Sequence, residues 1–584
     1  MPAFADKSQS AVGRLHAEKP HGLIGMIRNP YVFMTCAFAA LGCLMYGYDQ
    51  GVMSSVLVME SFQTRFPDLQ GSTIQGWLVS ALELGAWAGA LFNGWLAEKI
   101  SRKYSMMVAV LIFTLGTGLQ CGAYKSAELF AGRVIGGIGI GMFSMVIPLY
   151  QAEIAPPELR GSLVSLQQQS ITIGTAIAFW LDYGMHFVGG TKCNPEGIPA
   201  SQQYTDGVYN YTLAAHHHCL GQKDVAWRFP LALQLLPAWI LFFGMFFLPF
   251  SPRWLMTKHR DDECIAALSK LRRLDANDPV LRAEYLEIKA SVLFDEESEA
   301  ELRASGSVMG TWKTLFAPNM LRRVLIGCII MICQQFTGIN AVLYYAPQIF
   351  ETFGFTNTTT DLLATGVTGI FQIVFTLPSV FFLDKFGRKT FLITGAIGMM
   401  ICHVIVAAID GSFEDSWPTH RSAGWASIVF IWLFAVNFAY SWGPVAWVLT
   451  QELFPTSMRA RGVSIVASTN WMFNFVIGLT TKDMLDSMRY GTYIFFACFC
   501  AIGAAFVWYF VPETKDKTLE ELDVYFGGDA SGIAAADRER MARINASLGI
   551  ADHSDADVFS AAGVPDAKAA PVEHAEPGEA EKSA

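Results

Sequence analysis

The sequence predicts an all-α polytopic membrane protein, with twelve transmembrane helices in two six-helix halves and a cytosolic helical linker between them. Three observations predict it. Of 584 residues, 52% are hydrophobic and only 16% charged, whereas a soluble domain carries about 25% charged residues. Twelve apolar stretches are each long enough to cross a bilayer as a helix, which takes about 20 residues. The second six stretches repeat sequence marks of the first six.

Segments 1 to 6 run over 31–58, 73–97, 104–124, 127–150, 162–187 and 228–249. Segments 7 to 12 run over 322–350, 361–383, 390–410, 424–450, 461–482 and 490–511. Basic residues collect in alternate loops: Lys99, Arg102 and Lys103 after segment 2, Arg160 after segment 4, Lys385, Arg388 and Lys389 after segment 8, Arg459 and Arg461 after segment 10, and between segments 6 and 7 Arg253, Lys258, Arg260, Lys270, Arg272 and Arg273, with Arg322 and Arg323 at the start of segment 7. The positive-inside rule therefore places both termini in the cytosol. The chain divides into a cytosolic segment 1–30, a first half 31–250 with an extracellular loop 188–227, a helical linker 251–321, a second half 322–511 and a cytosolic tail 512–584.

The parts outside the membrane fit this topology. Asn210-Tyr-Thr212 and Asn357-Thr-Thr359 are glycosylation sequons on the outer side. Cys193 and Cys219 are the only cysteines placed outside, so they form a disulfide or remain two free thiols. His216, His217 and His218 read as a solvated loop. Most other cysteines lie in apolar segments as small buried hydrophobes. Zinc-type CxxC spacing is absent, and neither a metal nor a cofactor is expected. The linker mixes acids, bases and aliphatics as short amphipathic helices do. The Ala-, Asp-, Glu- and Gly-rich tail reads as largely disordered. The first 29 residues lack the apolar core of a signal peptide, and the net charge of −10 resides mostly in tail and linker, so it points to no nucleic-acid partner.

The repeat is specific. Glu98-Lys-Ile-Ser-Arg-Lys103 recurs as Asp384-Lys-Phe-Gly-Arg-Lys389. Glu153 and Arg160 after segment 4 recur as Glu452 and Arg459 after segment 10. Two parallel six-helix repeats mark a transporter that rocks one half against the other around a midplane site. Glu98, Arg102, Glu153, Arg160, Asp384, Arg388, Glu452 and Arg459 would form an intracellular latch between the halves in the outward-open state.

With Gly132-Arg-Val-Ile-Gly-Gly137, Pro148-Leu-Tyr-Gln-Ala-Glu-Ile-Ala-Pro156, Gln334-Gln-Phe-Thr-Gly-Ile-Asn340, Asp384-Lys-Phe-Gly-Arg388, Ser441-Trp-Gly-Pro-Val-Ala-Trp447 and Pro512-Glu-Thr-Lys515 in order, the chain resembles the sugar-porter branch of the major facilitator superfamily, most closely the fungal hexose–proton symporters. The resemblance covers about residues 30–525. One departure is Pro249-Phe-Ser-Pro-Arg253, where the family has Glu in place of Phe250.

A sugar site needs groups that both donate and accept, which neutral amides do. The resemblance implies that Gln168, Gln334, Gln335, Asn340, Trp447 and Asn470 contact the sugar, with Gln372 where relatives often have Asn. Trp442 and Trp471 are implied neighbours. Tyr344 and Tyr345 follow toward an outer gate, while Gly443 and Pro444 give segment 10 a bend.

Asp49 is the costly residue. It lies about 27 Å along segment 1 by helical rise, in the outer half of the bilayer, where a charge needs a partner. Arg133, about 9 Å down segment 4 from its outer end, is at matching depth. The resemblance implies that this pair couples sugar movement to protons. Glu83 in segment 2 is a rival acid near mid-membrane, and Asp182 is expected at the interface. The expected activity is proton-coupled uptake of a monosaccharide, a hexose and D-glucose first among them, across the plasma membrane by alternating access in a monomer. Alternatives are a facilitator, a carrier of a pentose, disaccharide, inositol or quinate, or a non-transporting sugar sensor. With neither a nucleophile–base constellation nor a phosphate-binding loop, an enzyme is not expected.

Overall fold

The computed structural model describes residues 29–156, 159–205, 208–209, 219–304, 318–355, 358–413, 416–454, 459–515 and 533–548, together with 213, 217, 315, 316 and 526. Asn210 and Asn357 lie outside the described residues, as do His216 and His218. Inner and outer denote the bundle ends that the charge rule assigns to the cytosol and to the outside.

Twelve helical segments appear where the apolar runs predict them. Segment 1 is Pro30–Ala39 continued by Leu41–Val56, followed by Ser72–Ile100, Arg102–Gly122, Ser126–Ile154, Arg160–Met185 and Val225–Leu233 with Leu235–Gly244. The second half comprises Pro318–Gln335 with Ile339–Thr352, Thr358–Phe386, Arg388–Phe413, Arg421–Tyr440 with Trp442–Glu452, Arg459–Met488 and Gly491–Phe510. Ten of these are long and apolar enough to cross a membrane by composition. The other two, segments 2 and 5, fall short because they carry Glu83, Asn93 and a run of glutamines at Gln167, Gln168 and Gln169. Side chains such as Phe247, 80% exposed, and Trp508 form an outward apolar surface suited to lipid rather than water.

Two breaks shape the second half. In segment 7 the helix stops at Gln335 and restarts at Ile339, with Gly338 at φ +88°. Only glycine takes that backbone cheaply, and a Cβ there would lie 2.8 Å from the Phe496 ring. His403 of segment 9 donates to the buried Thr337 carbonyl at 2.9 Å, which fixes that ring nitrogen as the protonated one. In segment 10 the break falls at Ser441, three residues before Pro444. The bend expected at Gly443 and Pro444 is thus displaced toward the N-terminus, because a proline fits the first turn of a helix and disrupts the bonding before it.

Small residues bring segments 2 and 4 together. A Cβ on Gly85, Gly89, Gly137 or Gly141 would overlap the backbone of the facing helix, as in the small-residue seams of membrane helices. The halves meet through segment 2 against 11, segment 5 against 8 and segment 1 against the second piece of 7.

The linker forms Pro252–Thr257, Asp261–Arg272 and a long third helix, Pro279–Ala304, rather than short helices throughout. Arg253–Asp295 at 2.8 Å and Arg272–Glu284 at 2.5 Å hold it together. Arg272 also donates to the Ile154 carbonyl at 3.0 Å, tying it to the inner end of segment 4. Phe250, standing in place of the family's Glu, stacks on Trp254 and receives the Lys103 ammonium 4.9 Å from its ring. A cation–π contact therefore occupies the place of a charge contact. The tail departs from the disordered expectation over Ile533–Ser547, a helix that packs on Pro279–Ala304. Its Ile544 is 3% exposed, and Arg543 reaches Glu297 at 3.2 Å. In the outer loop Cys193 and Cys219 are disulfide-bonded, beside a two-stranded hairpin of Tyr204–Thr205 with Val208–Tyr209.

Candidate functional site

The break in segment 7 puts Gln334 and Gln335 at the end of one piece and Asn340 at the start of the next. Segment 5 contributes Gln168, segment 8 Gln372, segment 10 Trp447 and segment 11 Asn470. All seven line one cavity between the halves. Sequence reasoning missed Tyr46 and Gln50 of segment 1 and Thr172 and Thr175 of segment 5, which line it too. The available signal was Gln50 itself, an amide in an apolar run beside Asp49.

The amides bond to one another, leaving Asn470 Oδ1 without a partner among the described residues. Asn470 donates to Gln334 Oε1 at 2.6 Å, and Gln334 donates to the Trp442 carbonyl at 2.7 Å. Asn340 donates to Gln335 Oε1 at 2.6 Å and to Asn474 Oδ1 at 2.9 Å. Tyr344 joins this set: its hydroxyl lies 3.0 Å from Asn474 Nδ2 and accepts from Gln50 Nε2 at 2.9 Å. Asn474 was another residue the sequence reading passed over. Sugar hydroxyls can exchange into such a network because each amide offers both roles.

The four expected neighbours stand behind the lining. Trp442 donates to the Leu392 carbonyl at 2.8 Å, and its own carbonyl holds Gln334. Trp471 packs 5.0 Å from Tyr46 and donates to Ser144 across the halves at 3.0 Å. Tyr345 donates to the Gly478 carbonyl at 2.8 Å, and its backbone departs from helical geometry two residues before Pro347.

Asp49 and Arg133 meet. Arg133 Nη1 lies 3.2 Å from Asp49 Oδ2, with both side chains almost fully buried. The guanidinium also donates to the Val79 carbonyl at 3.0 Å and the Leu78 carbonyl at 3.4 Å. The glycine seam makes that reach possible by bringing segment 4 onto segment 2. Asp49 Oδ1 and both oxygens of Glu83 have no hydrogen-bond partner among the described residues. Burying such groups is costly. Asp182 lies near the outer end of segment 5, as expected, and is fully buried in the protein.

The outer ends of the halves are closed on one another. Asp483 of segment 11 accepts from Ser72 at 2.5 Å and Thr73 at 3.2 Å, at the start of segment 2. At the inner end, Arg102 pairs with Glu153 and Arg388 with Glu452, each at 2.7 Å. The latch between the halves belongs to the outward-open state, and here the outer ends are joined; these two pairs occupy equivalent places and run within a half. The reason is local: each Arg begins a helix packed beside the helix carrying its Glu. The Glu98 carbonyl accepts from Trp254 of the linker at 3.1 Å. The side chains of Arg160, Asp384 and Arg459 lie outside the described part of the structure. Glu513 accepts from the backbone N–H groups of Arg388 and Lys389 at 2.9 and 3.0 Å, capping segment 9, and Thr514 donates to Glu452 at 2.6 Å. The Pro-Glu-Thr motif thus positions the second inner pair. Among the described residues no group of three or more His, Cys, Asp or Glu is gathered as a metal ligand set.

A family model described as sugar (and other) transporter matches residues 35–526. The chain belongs to the sugar-porter family of the major facilitator superfamily. This sugar porter is 32% identical over 512 residues to the MFS glucose transporter mfs1 of Aspergillus flavus, covering 85% of this chain and 89% of that one. It is 31% identical to a quinate permease of Emericella nidulans, covering 86% and 89%. The proton:xylose symporter XylE bound to 6-bromo-6-deoxy-D-glucose superposes with a TM-score of 0.66 at 28% identity, covering 85% of this chain and 100% of that one. Like its family, this sugar porter is a membrane transporter and not an enzyme.

Proposed function

We propose that this sugar porter takes up monosaccharide, most directly D-glucose and related hexoses, together with protons across the plasma membrane by alternating access. The observation that carries the reading is the joining of two sites in one bundle: seven sugar-suited side chains on one cavity, and a buried acid–arginine pair on segments 1 and 4. In this reading Gln168, Gln334, Gln335, Asn340, Gln372, Trp447 and Asn470 hold the sugar. Asp49 takes a proton from the outer side, which releases Arg133 and permits closure over the sugar. Loss of that proton to the cytosol re-forms the pair. Tyr344 and Asp483 belong to the outer closure, since both bridge the halves. Both termini lie in the cytosol, Asn210 and Asn357 carry glycans, and the working unit is a monomer in the bilayer.

A second reading, carriage of quinate, is favoured by the similarity to a quinate permease. Its carboxylate calls for a cationic partner, and no Arg or Lys stands among the described cavity-lining residues. That favours a neutral sugar. Uptake of a panel of labelled hexoses, pentoses, inositol and quinate by cells lacking their own sugar carriers tests this. Competition of D-glucose uptake by other hexoses is expected, with quinate without effect. Uptake of quinate and not of hexoses contradicts it.

A further inference from the structure

We propose that Glu83 is the inner acid of a two-carboxylate proton relay around Arg133, connected to the sugar site through Tyr344. The inference rests on the proton-coupled reading and adds a group to it. Glu83 is 0% exposed and both of its oxygens lack a hydrogen-bond partner among the described residues. Its surroundings are charged or titratable on three sides: Arg133 from segment 4, Asp49 and Tyr46 from segment 1, and Tyr344 and Tyr345 from segment 7. Arg133 anchors on the carbonyls of Leu78 and Val79, one turn before Glu83. A guanidinium has five N–H donors; Asp49, Val79 and Leu78 engage three, so two remain for a second carboxylate.

Depth separates the two acids. By helical rise Asp49 lies about 10 Å from the outer end of segment 1, and Glu83 about 16 Å from the outer end of segment 2. Asp49 is therefore the nearer of the two to the outer supply of protons, and Glu83 is the deeper one. Tyr344 lies beside the Glu83 carboxyl while bonded to Gln50 and Asn474, and Asn474 accepts from Asn340 in the sugar cavity. Sugar binding at Asn340 is thus felt two side chains away at Glu83.

At rest Asp49 is ionised against Arg133 and Glu83 carries a proton, so the three groups sum to zero charge. A proton from outside binds Asp49, giving a net charge of plus one. Once the inner side opens, Glu83 gives its proton to the cytosol and the guanidinium moves to the Glu83 carboxylate. The proton on Asp49 then passes to Glu83, and the guanidinium returns to Asp49. One proton enters and one leaves per cycle.

The test uses full-length protein in proteoliposomes, comparing wild type with Glu83→Gln and Glu83→Asp. Expected for Glu83→Gln is sugar counterflow, which needs no net proton movement, within about threefold of wild type, while sugar-driven proton uptake falls more than tenfold. Glu83→Asp restores proton uptake with an altered pH profile. A purely structural residue would lower both activities together. Unchanged proton uptake per sugar in Glu83→Gln overturns the relay. Absence of proton uptake by wild type defeats the proton-coupled reading itself, so the two failures are distinct. Should Glu83→Gln not fold, sugar-induced infrared difference spectra of Asp49→Asn decide: a protonated-carboxyl band that changes with sugar supports the relay, and its absence overturns it.

Discussion

Arg133 is held by one carboxylate and two backbone carbonyls in a site with almost no exposure to solvent. Removing one partner of a buried ion pair leaves an uncompensated charge, at a cost of about 3–5 kcal/mol. Arg133→Ala should therefore lose stability on that scale, read as a fall in melting temperature in detergent, whereas a change below about 1 kcal/mol would mean the pair is water-supported. In the cavity, Gln335→Ala removes one of the two acceptors of Asn340. An unmatched buried polar group costs about 1–3 kcal/mol, so KM for sugar should rise about tenfold while the pH profile of uptake stays unchanged. At this scale the sequence was informative wherever a polar group interrupts an apolar run. Asp49, Gln334 and Asn340 are conspicuous for that reason. Asn474 and Gln50 were open to the same argument, but which face of a helix turns inward depends on neighbouring segments. The burial of Asp182 was not legible for a related reason: distance along a helix gives depth, and says nothing of which helix covers it.

At the scale of elements, segment length and apolarity located all twelve helices, yet the breaks were less legible. Gly338 lies where the sequence suggested a loosened helix, and the structure makes it a full interruption at positive φ. Gly338→Ala should carry the left-handed strain of about 1–2 kcal/mol and push on Phe496, lowering the transport rate; a variant with wild-type rate would show that the break is not needed. The segment 10 break moved to Ser441 because proline acts on the turn before it. The tail helix Ile533–Ser547 was illegible because its composition resembles a disordered segment, and its burial depends on the linker helix beneath it. Within the linker, Asp261 is held below the usual carboxylate range, chiefly by the Tyr285 hydroxyl at 2.7 Å and also by Lys289. A carboxyl depressed in the folded state adds stability above its ordinary pKa and loses it as pH falls through the folded one. Asp261→Asn should thus melt below wild type at pH 7, with the difference vanishing in acid below the ordinary carboxylate range. A difference that persists there would assign the effect to packing.

For the whole molecule, closure at the outer end is written in contacts between halves. Asp483 receives both hydroxyls at the start of segment 2, and Gly76 lies against the Leu479 backbone. A Ser72→Cys, Asp483→Cys pair should crosslink under oxidation and stop transport, with reductant restoring it; transport that survives crosslinking would mean this end need not open. The internal repeat was readable from Arg102 and Arg388, and the structure gives both the same Glu partner geometry. Whether the halves pair outside or inside was not readable, since one sequence must support both states. The central claim is that sugar moves with protons through Asp49. Its most direct measurement is sugar-driven proton uptake into proteoliposomes by wild type and by Asp49→Asn. The account predicts proton entry with D-glucose in wild type, and in Asp49→Asn sugar exchange with neither proton entry nor concentration of sugar. Wild type that moves sugar without protons, or a mutant that still concentrates it, would contradict the account.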